Sequence, residues 1–247
     1  MNIELKENER IDDLEFHHLK IIQNKKGFCF GIDSVLLSDF AKNIKDGGKV
    51  IDLGTGTAIL PLLLSAKTNA SKILGVEIQP VVAEMASRSI KMNNLQDKIE
   101  IINENIKNLK NMYLSSSFDV VVTNPPYKKL GTGGKNETET KLISRHEITA
   151  NLEDFISISS YLLKDNGSFY MVHRPERLID ISIELRKYHL EPKEIKMVYS
   201  YMNKAPNLIL IKAVKNAKPF LKVLEPLYIY NQEGSYTDEI LKIYHKI

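Results

Sequence analysis

Asn124-Pro125-Pro126-Tyr127 is the stretch of this 247-residue chain whose residue types are best suited to chemistry. Two consecutive prolines stiffen the backbone, forbid helix and leave carbonyl oxygens without neighbouring N–H donors. The side-chain oxygen of Asn124 and the carbonyl of Pro125 then make a preorganised pair of acceptors for a planar amino group. Tyr127 adds an aromatic face on which a heteroaromatic base can stack. An exocyclic amine is a poor nucleophile because its lone pair is delocalised into the ring. Acceptors placed out of the ring plane draw it toward tetrahedral geometry and stabilise the positive charge that grows as the nitrogen attacks.

A second candidate is Asp52-Leu53-Gly54-Thr55-Gly56-Thr57-Ala58. Its glycines let the backbone turn tightly and approach a ligand. Glu77 follows at the end of the next apolar run, where a carboxylate can accept hydrogen bonds from both hydroxyls of a ribose. A G-x-G-x-x-G dinucleotide fingerprint would need glycine at position 59, where Ile59 stands, which argues against a nicotinamide cofactor.

The elements that must position these residues are legible as alternation. Short β-rich runs at 49–53, 72–77, 98–102, 118–123, 167–172, 193–199 and 207–214 predict seven strands. Helical spacing falls between them at 58–67, 80–93, 151–163 and 175–188, with Pro80 and Pro175 as start signals and Asn93-Asn94 and Asn166-Gly167 as stops. This order predicts an α/β fold with a doubly wound, seven-stranded, mostly parallel sheet. Continuous apolar runs such as Val120-Val121-Val122 suit strands covered on both faces. Both candidate motifs follow strands, at the edge where open α/β sheets bind nucleotides. Residues 1–48 read as an N-terminal extension, with a small hairpin around 25–30 and a helix opening near Asp33-Ser34. Residues 49–247 read as the main domain, the two forming one compact unit. The polar, glycine-containing stretch 128–149 is long for a connection in a compact domain, a length usual for a functional lid or a disordered segment.

Composition narrows the classes. With 43% hydrophobic and 26% charged residues, the chain can bury a sizeable core, which excludes disorder and collagen-like repeats. The single cysteine, Cys29, excludes an internal disulfide framework and a cysteine-based zinc cluster, and suits a reducing compartment, the cytoplasm. The start lacks a signal-peptide layout, and no window reaches the length of a membrane span. Net charge is only +3, yet residues 128–222 hold 17 Lys/Arg against 11 Asp/Glu, a local excess of six. That excess permits a phosphate-bearing partner.

Asp52 to Thr57, Glu77 and Asn124 to Tyr127 resemble motifs I, II and IV of class I S-adenosylmethionine-dependent amino methyltransferases. More narrowly, Lys20-Ile21-Ile22-Gln23, Phe28-Cys29-Phe30-Gly31-Ile32-Asp33, Arg145-His146-Glu147, Pro175-Glu176-Arg177-Leu178 and Ala205-Pro206-Asn207-Leu208-Ile209-Leu210 are similar to one bacterial family. That family, the tRNA1(Val) (adenine37-N6)-methyltransferases, methylates the adenine beside the anticodon of a valine tRNA. The resemblance implies S-adenosyl-L-methionine as cofactor, tRNA as partner through its anticodon loop, no metal, no membrane, and a monomer. Asn124, Pro125, Pro126 and Tyr127 would carry catalysis. Phe30, Asp33, Asp52, Gly54, Thr55, Gly56, Glu77, Ile78, Asn105 and Asn124 would hold the cofactor, although Asp33 serves equally as a helix N-cap. Tyr127, Lys128, Lys129 and Arg145 would meet the RNA. Two positions depart from the pattern: Asn105 stands in place of an aspartate and Ala58 in place of a third glycine. A protein glutamine or a guanine amine of rRNA are alternative substrates for the same corner, and a non-catalytic RNA-binding module is a more distant alternative.

Overall fold

The computed structural model describes residues 4–26, 31–127 and 150–247. Five parallel strands form the heart of the sheet: β3 (Lys49–Leu53), β4 (Lys72–Glu77), β5 (Ile99–Asn103), β6 (Phe118–Thr123) and β7 (Leu163–His173). β8 (Leu190–Tyr199) and β9 (Pro206–Lys215) complete the seven expected strands, β9 running antiparallel to both β7 and β8. The sheet has nine strands rather than seven, because the two-residue strands β10 (Lys222–Val223) and β11 (Leu227–Tyr228) pair with β8. Two residues are too few to show any hydrophobic period, so these strands leave no trace in the sequence.

The order across the sheet is β10-β8-β9-β7-β6-β3-β4-β5, so β3 has β4 on one side and β6 on the other. The chain reverses its winding there, which opens a crevice at the carboxyl ends of β3 and β6. Alternate residues of these strands enter different cores. Val50, Val120 and Val122 pack with α1 (Ile32–Phe40), α2 (Ile59–Lys67) and α3 (Pro80–Met92). Ile51, Leu53 and Val121 pack with α5 (Leu152–Leu162) and α6 (Leu178–Lys187), which follow the short α4 (Leu109–Met112). Covering on both faces is why the strands read as unbroken apolar runs. Each fully buried aliphatic side chain in them contributes about 1.5–3 kcal/mol.

The hairpin expected around 25–30 falls mostly outside the described residues, and the structure holds another just before it. The latter pairs β1 (Glu9–Asp13) with β2 (Lys20–Asn24), and residues 27–30 lie outside the described residues. β1 is a charged strand, E-R-I-D-D, whose composition hides its pairing. The hairpin docks on α3: Ile22 N–H donates to Ser89 Oγ at 2.9 Å, and Arg88 Nη1 donates to Glu9 Oε2 at 2.8 Å. The Arg88 guanidinium holds the Glu9 carboxyl below its usual range. A final helix, α7 (Asp238–Ile243), packs against α1 and β11. Among the described residues no helix is long and apolar enough to cross a membrane.

Candidate active site

The glycine turn leaves β3 at Leu53. Gly54 and Gly56 have φ of +75° and +56°, the left-handed region that costs an L side chain about 1–2 kcal/mol. Gly54 N–H and Thr55 N–H both donate to the Val76 carbonyl at 2.9 Å, which ties the turn to the end of β4. Gly75 makes this approach possible, since a Cβ there would lie 2.7 Å from Ile101 Cδ1 and 2.9 Å from Thr55 Oγ1. Thr55 Oγ1 in turn donates to Asp52 Oδ2 at 2.6 Å. Asp52 is fully buried, and its Oδ1 has no hydrogen-bond partner among the described residues. Burial pushes the Asp52 carboxyl up to about 7, against the pull of the Thr55 hydroxyl, and the Glu77 charge adds to the rise. An orphaned buried carboxylate oxygen is costly unless a donor or cation reaches it.

Glu77 is buried and spans the same turn: Oε2 accepts from Gly56 N–H at 3.0 Å and Oε1 from Gln79 N–H at 2.9 Å. A carboxylate has about four lone-pair sites, so two bonds leave acceptor capacity for a diol. Sequence reasoning missed Asn103. Its Nδ2 donates to the carbonyls of Glu77 at 2.8 Å and Ile78 at 3.0 Å, fixing the segment that carries the acid. The available signal was an amide at the end of the neighbouring strand. Asn105 spends its Oδ1 on Lys107 N–H at 3.0 Å, capping the turn Ile106–Asn108, which leaves its NH2 for a ligand. Ala58 has φ +70°, so the position that lacks glycine still adopts the conformation glycine favours.

The proline corner leaves β6, whose Thr123 pairs with Leu53 of β3 and donates its hydroxyl to the Leu53 carbonyl at 2.8 Å. The two candidate motifs therefore emerge side by side at the switch point. Asn124 Oδ1 accepts from the Tyr127 hydroxyl at 2.7 Å, and Asn124 Nδ2 donates to Ser34 Oγ at 3.4 Å. The same tyrosine hydroxyl lies 2.6 Å from Asp33 Oδ2. One hydroxyl proton serves one acceptor at a time. The Asp33 carboxylate is the stronger acceptor, and an amide oxygen carries two lone pairs, so Asn124 Oδ1 keeps capacity for a second donor. Burial, then the Asp33 charge, hold the Tyr127 phenol far above its ordinary value, so it stays a donor.

Asp33 was expected to bind a cofactor or to cap α1. The residue before α1 is Gly31, with no side-chain cap, and Asp33 sits in the first turn with its carboxylate on Tyr127. Two further residues join the corner from the end of β7. The buried His173 ring packs on Tyr127 at 5.2 Å between centroids, and the Arg174 guanidinium lies over the Tyr127 ring at 5.1 Å. Burial lowers His173 to about 4, so it is neutral at physiological pH, with Nδ1 accepting from Arg174 N–H at 2.7 Å. These two residues stand just before the Pro175-to-Leu178 string. Nothing local distinguishes them; the parallel pairing of β6 with β7 brings them to Tyr127. Phe30, Lys128, Lys129 and Arg145 lie outside the described residues. Among the described residues no group of three or more His, Cys, Asp or Glu could hold a metal ion.

A family model described as "Methyltransferase small domain" matches residues 31–186. The chain is 27% identical over 242 residues to a Porphyromonas gingivalis protein named tRNA1(Val) (adenine(37)-N6)-methyltransferase, covering 94% of this chain and 93% of the relative. A Haemophilus influenzae protein of the same name is 25% identical over 231 residues, covering 92% and 94% respectively. Among solved structures, a predicted O-methyltransferase from Agrobacterium tumefaciens superposes with a TM-score of 0.70 at 18% identity, covering 86% of this chain and 95% of that one.

Proposed function

Since this chain belongs to the methyltransferase small domain family, we propose that it transfers the methyl group of S-adenosylmethionine to N6 of an adenine in tRNA. By analogy with the names of its relatives, the target is adenine 37 of tRNA1(Val). The observation that carries the reading is the adjacency of the two motifs at the ends of β3 and β6, with Asn124 Oδ1 available to an amine and Asp52 Oδ1 unpartnered beside the glycine turn.

The residues present fit the cofactor. The orphaned Asp52 oxygen suits an ammonium or N–H donor of its methionine part, against the turn made by Gly54, Thr55 and Gly56. A Cβ on Gly56 would meet nothing within 4 Å, so this side of the turn is open. Glu77 would take the ribose hydroxyls, and Ile78 with the Asn105 amide would border the cofactor adenine. The cofactor supplies an electrophilic methyl group on a sulfonium.

The protein's part is to present the amine. Asn124 Oδ1 and the Pro125 carbonyl accept its two N–H groups, and Tyr127 holds the base. Neither acceptor is basic, so the amine would attack as a neutral group, its new N–C bond forming as the methyl carbon leaves the sulfonium sulfur, and would then pass its extra proton to water. Positioning contributes about 7–11 kcal/mol. A single charge-stabilising contact contributes about 2.7–4 kcal/mol, so geometry dominates. A base in an anticodon loop is already unpaired and turns outward at less cost than one in a duplex. This reading places the protein in the cytoplasm, acting as a monomer.

The test is incubation with methyl-labelled S-adenosylmethionine and a cell extract that supplies tRNA, rRNA and protein, followed by nucleoside and amino-acid analysis of each fraction. Label in N6-methyladenosine is expected. Label confined to N5-methylglutamine in protein, or to a methylated guanine, would move the reading to the corresponding rival substrate.

A further inference from the structure

We propose that Arg174 is a phosphate-binding residue for the target nucleotide, and that without RNA its guanidinium occupies the Tyr127 face that the target base takes over. The inference rests on the function proposed above. Two groups lie against the Tyr127 ring. His173 is buried at 1% exposure and held by its bond from Arg174 N–H, so it cannot leave. Arg174 is only partly buried, and a base that stacks on the ring displaces it.

The displaced group has little else to hold it. Nη1 donates to the Asn207 carbonyl at 3.0 Å, and among the described residues Arg174 forms no ion pair with a carboxylate. A guanidinium carries five N–H donors, so most of its capacity is uncommitted. Its planar fork matches phosphate oxygens. The backbone at Arg174 is fixed by His173 on one side and Pro175 on the other, so only the side chain moves. A nucleotide's phosphates lie one sugar away from its base, within the swing of an arginine anchored there. Base stacking on the aromatic ring replaces the cation–π contact in kind, and the freed cation gains a phosphate.

The test compares wild type, Arg174→Ala and Arg174→Lys in binding an anticodon stem-loop RNA across salt concentrations. A second RNA carries neutral methylphosphonate linkages on both sides of the target adenosine. Arg174→Ala is expected to weaken binding of the natural RNA on the order of tenfold, and to reduce the slope of log affinity against log salt by about 0.7. Arg174→Lys is expected to keep the slope. With the methylphosphonate RNA, Arg174→Ala and wild type should bind alike. Equal weakening of both RNAs, with unchanged calorimetric binding of S-adenosylmethionine showing an intact fold, would overturn the inference while leaving methyl transfer standing. Wild type that binds and methylates neither RNA would overturn the underlying reading, and this inference with it.

Discussion

Replacing Asp52 by Asn should change how the stability of the ligand-free protein depends on pH, in a direction the structure fixes and by an amount it bounds. The Asp52 carboxyl is fully buried and raised from an ordinary 3.8 to about 7. Between those values the folded state keeps a proton that the unfolded state has lost, so stability falls as pH rises through that window. The shift of about three units corresponds to about 4 kcal/mol, as a ceiling, at about 1.36 kcal/mol per unit. Asn keeps the shape and the acceptor for Thr55 Oγ1 but cannot ionise. The difference in unfolding free energy, variant minus wild type, should therefore grow as pH rises from about 4 to about 7 and then level. The wild-type profile alone would hide this. His173, lowered from 6.5 to about 4, binds its proton only in the unfolded state and contributes a slope of opposite sign over nearly the same window. Urea unfolding of both proteins at four or five pH values measures the difference directly. Parallel curves would refute the claim that a buried, unpartnered carboxyl sits under the glycine turn.

Other substitutions separate the parts of the site. Asn124→Ala should lower kcat by about 10²–10³-fold, the effect of losing one charge-stabilising contact, while weakening cofactor binding in calorimetry far less than that; wild-type turnover would remove Asn124 from the mechanism. Glu77→Ala removes the acceptor for both Gly56 N–H and Gln79 N–H and should weaken cofactor binding by at least about tenfold, whereas unchanged affinity would refute the ribose assignment. Ala58→Gly relieves a left-handed alanine at φ +70° but loosens the unfolded chain and gives up a fully buried core methyl worth about 0.8 kcal/mol, so stability should change by less than about 1 kcal/mol. The Tm should then stay within roughly 4 °C of wild type, and a larger drop would mean that the left-handed conformation costs alanine little here.

What the sequence made legible follows burial and local turn chemistry. β3, β4 and β6 are bounded as their apolar runs and their Gly, Gln or Asn-Pro stops indicate, because two-sided burial leaves no polar face to blur the pattern. The glycine turn and the proline corner were readable for the same reason: each is local, and each needs residue types with few other uses. The charged strand β1 was not, since its stability comes from pairing with β2 rather than from its own composition. Asn103, Ser34, His173 and Arg174 were also missed as site residues. Each reaches the site across a sheet register or from a packed helix, dozens of residues away in sequence, where no spacing rule applies. The bond of Asp33 to Tyr127 spans 94 positions, beyond any spacing rule.

The proposed reaction turns on the Asn124–Tyr127 corner delivering one adenine amine of a tRNA to the methyl donor. The most direct measurement offers the protein two tRNA1(Val) transcripts with labelled S-adenosylmethionine, one natural and one with guanine in place of the adenine at position 37. Label should enter the natural transcript, at N6 of that adenine, and stay out of the substituted one. Equal labelling of both transcripts, or of neither, would contradict it.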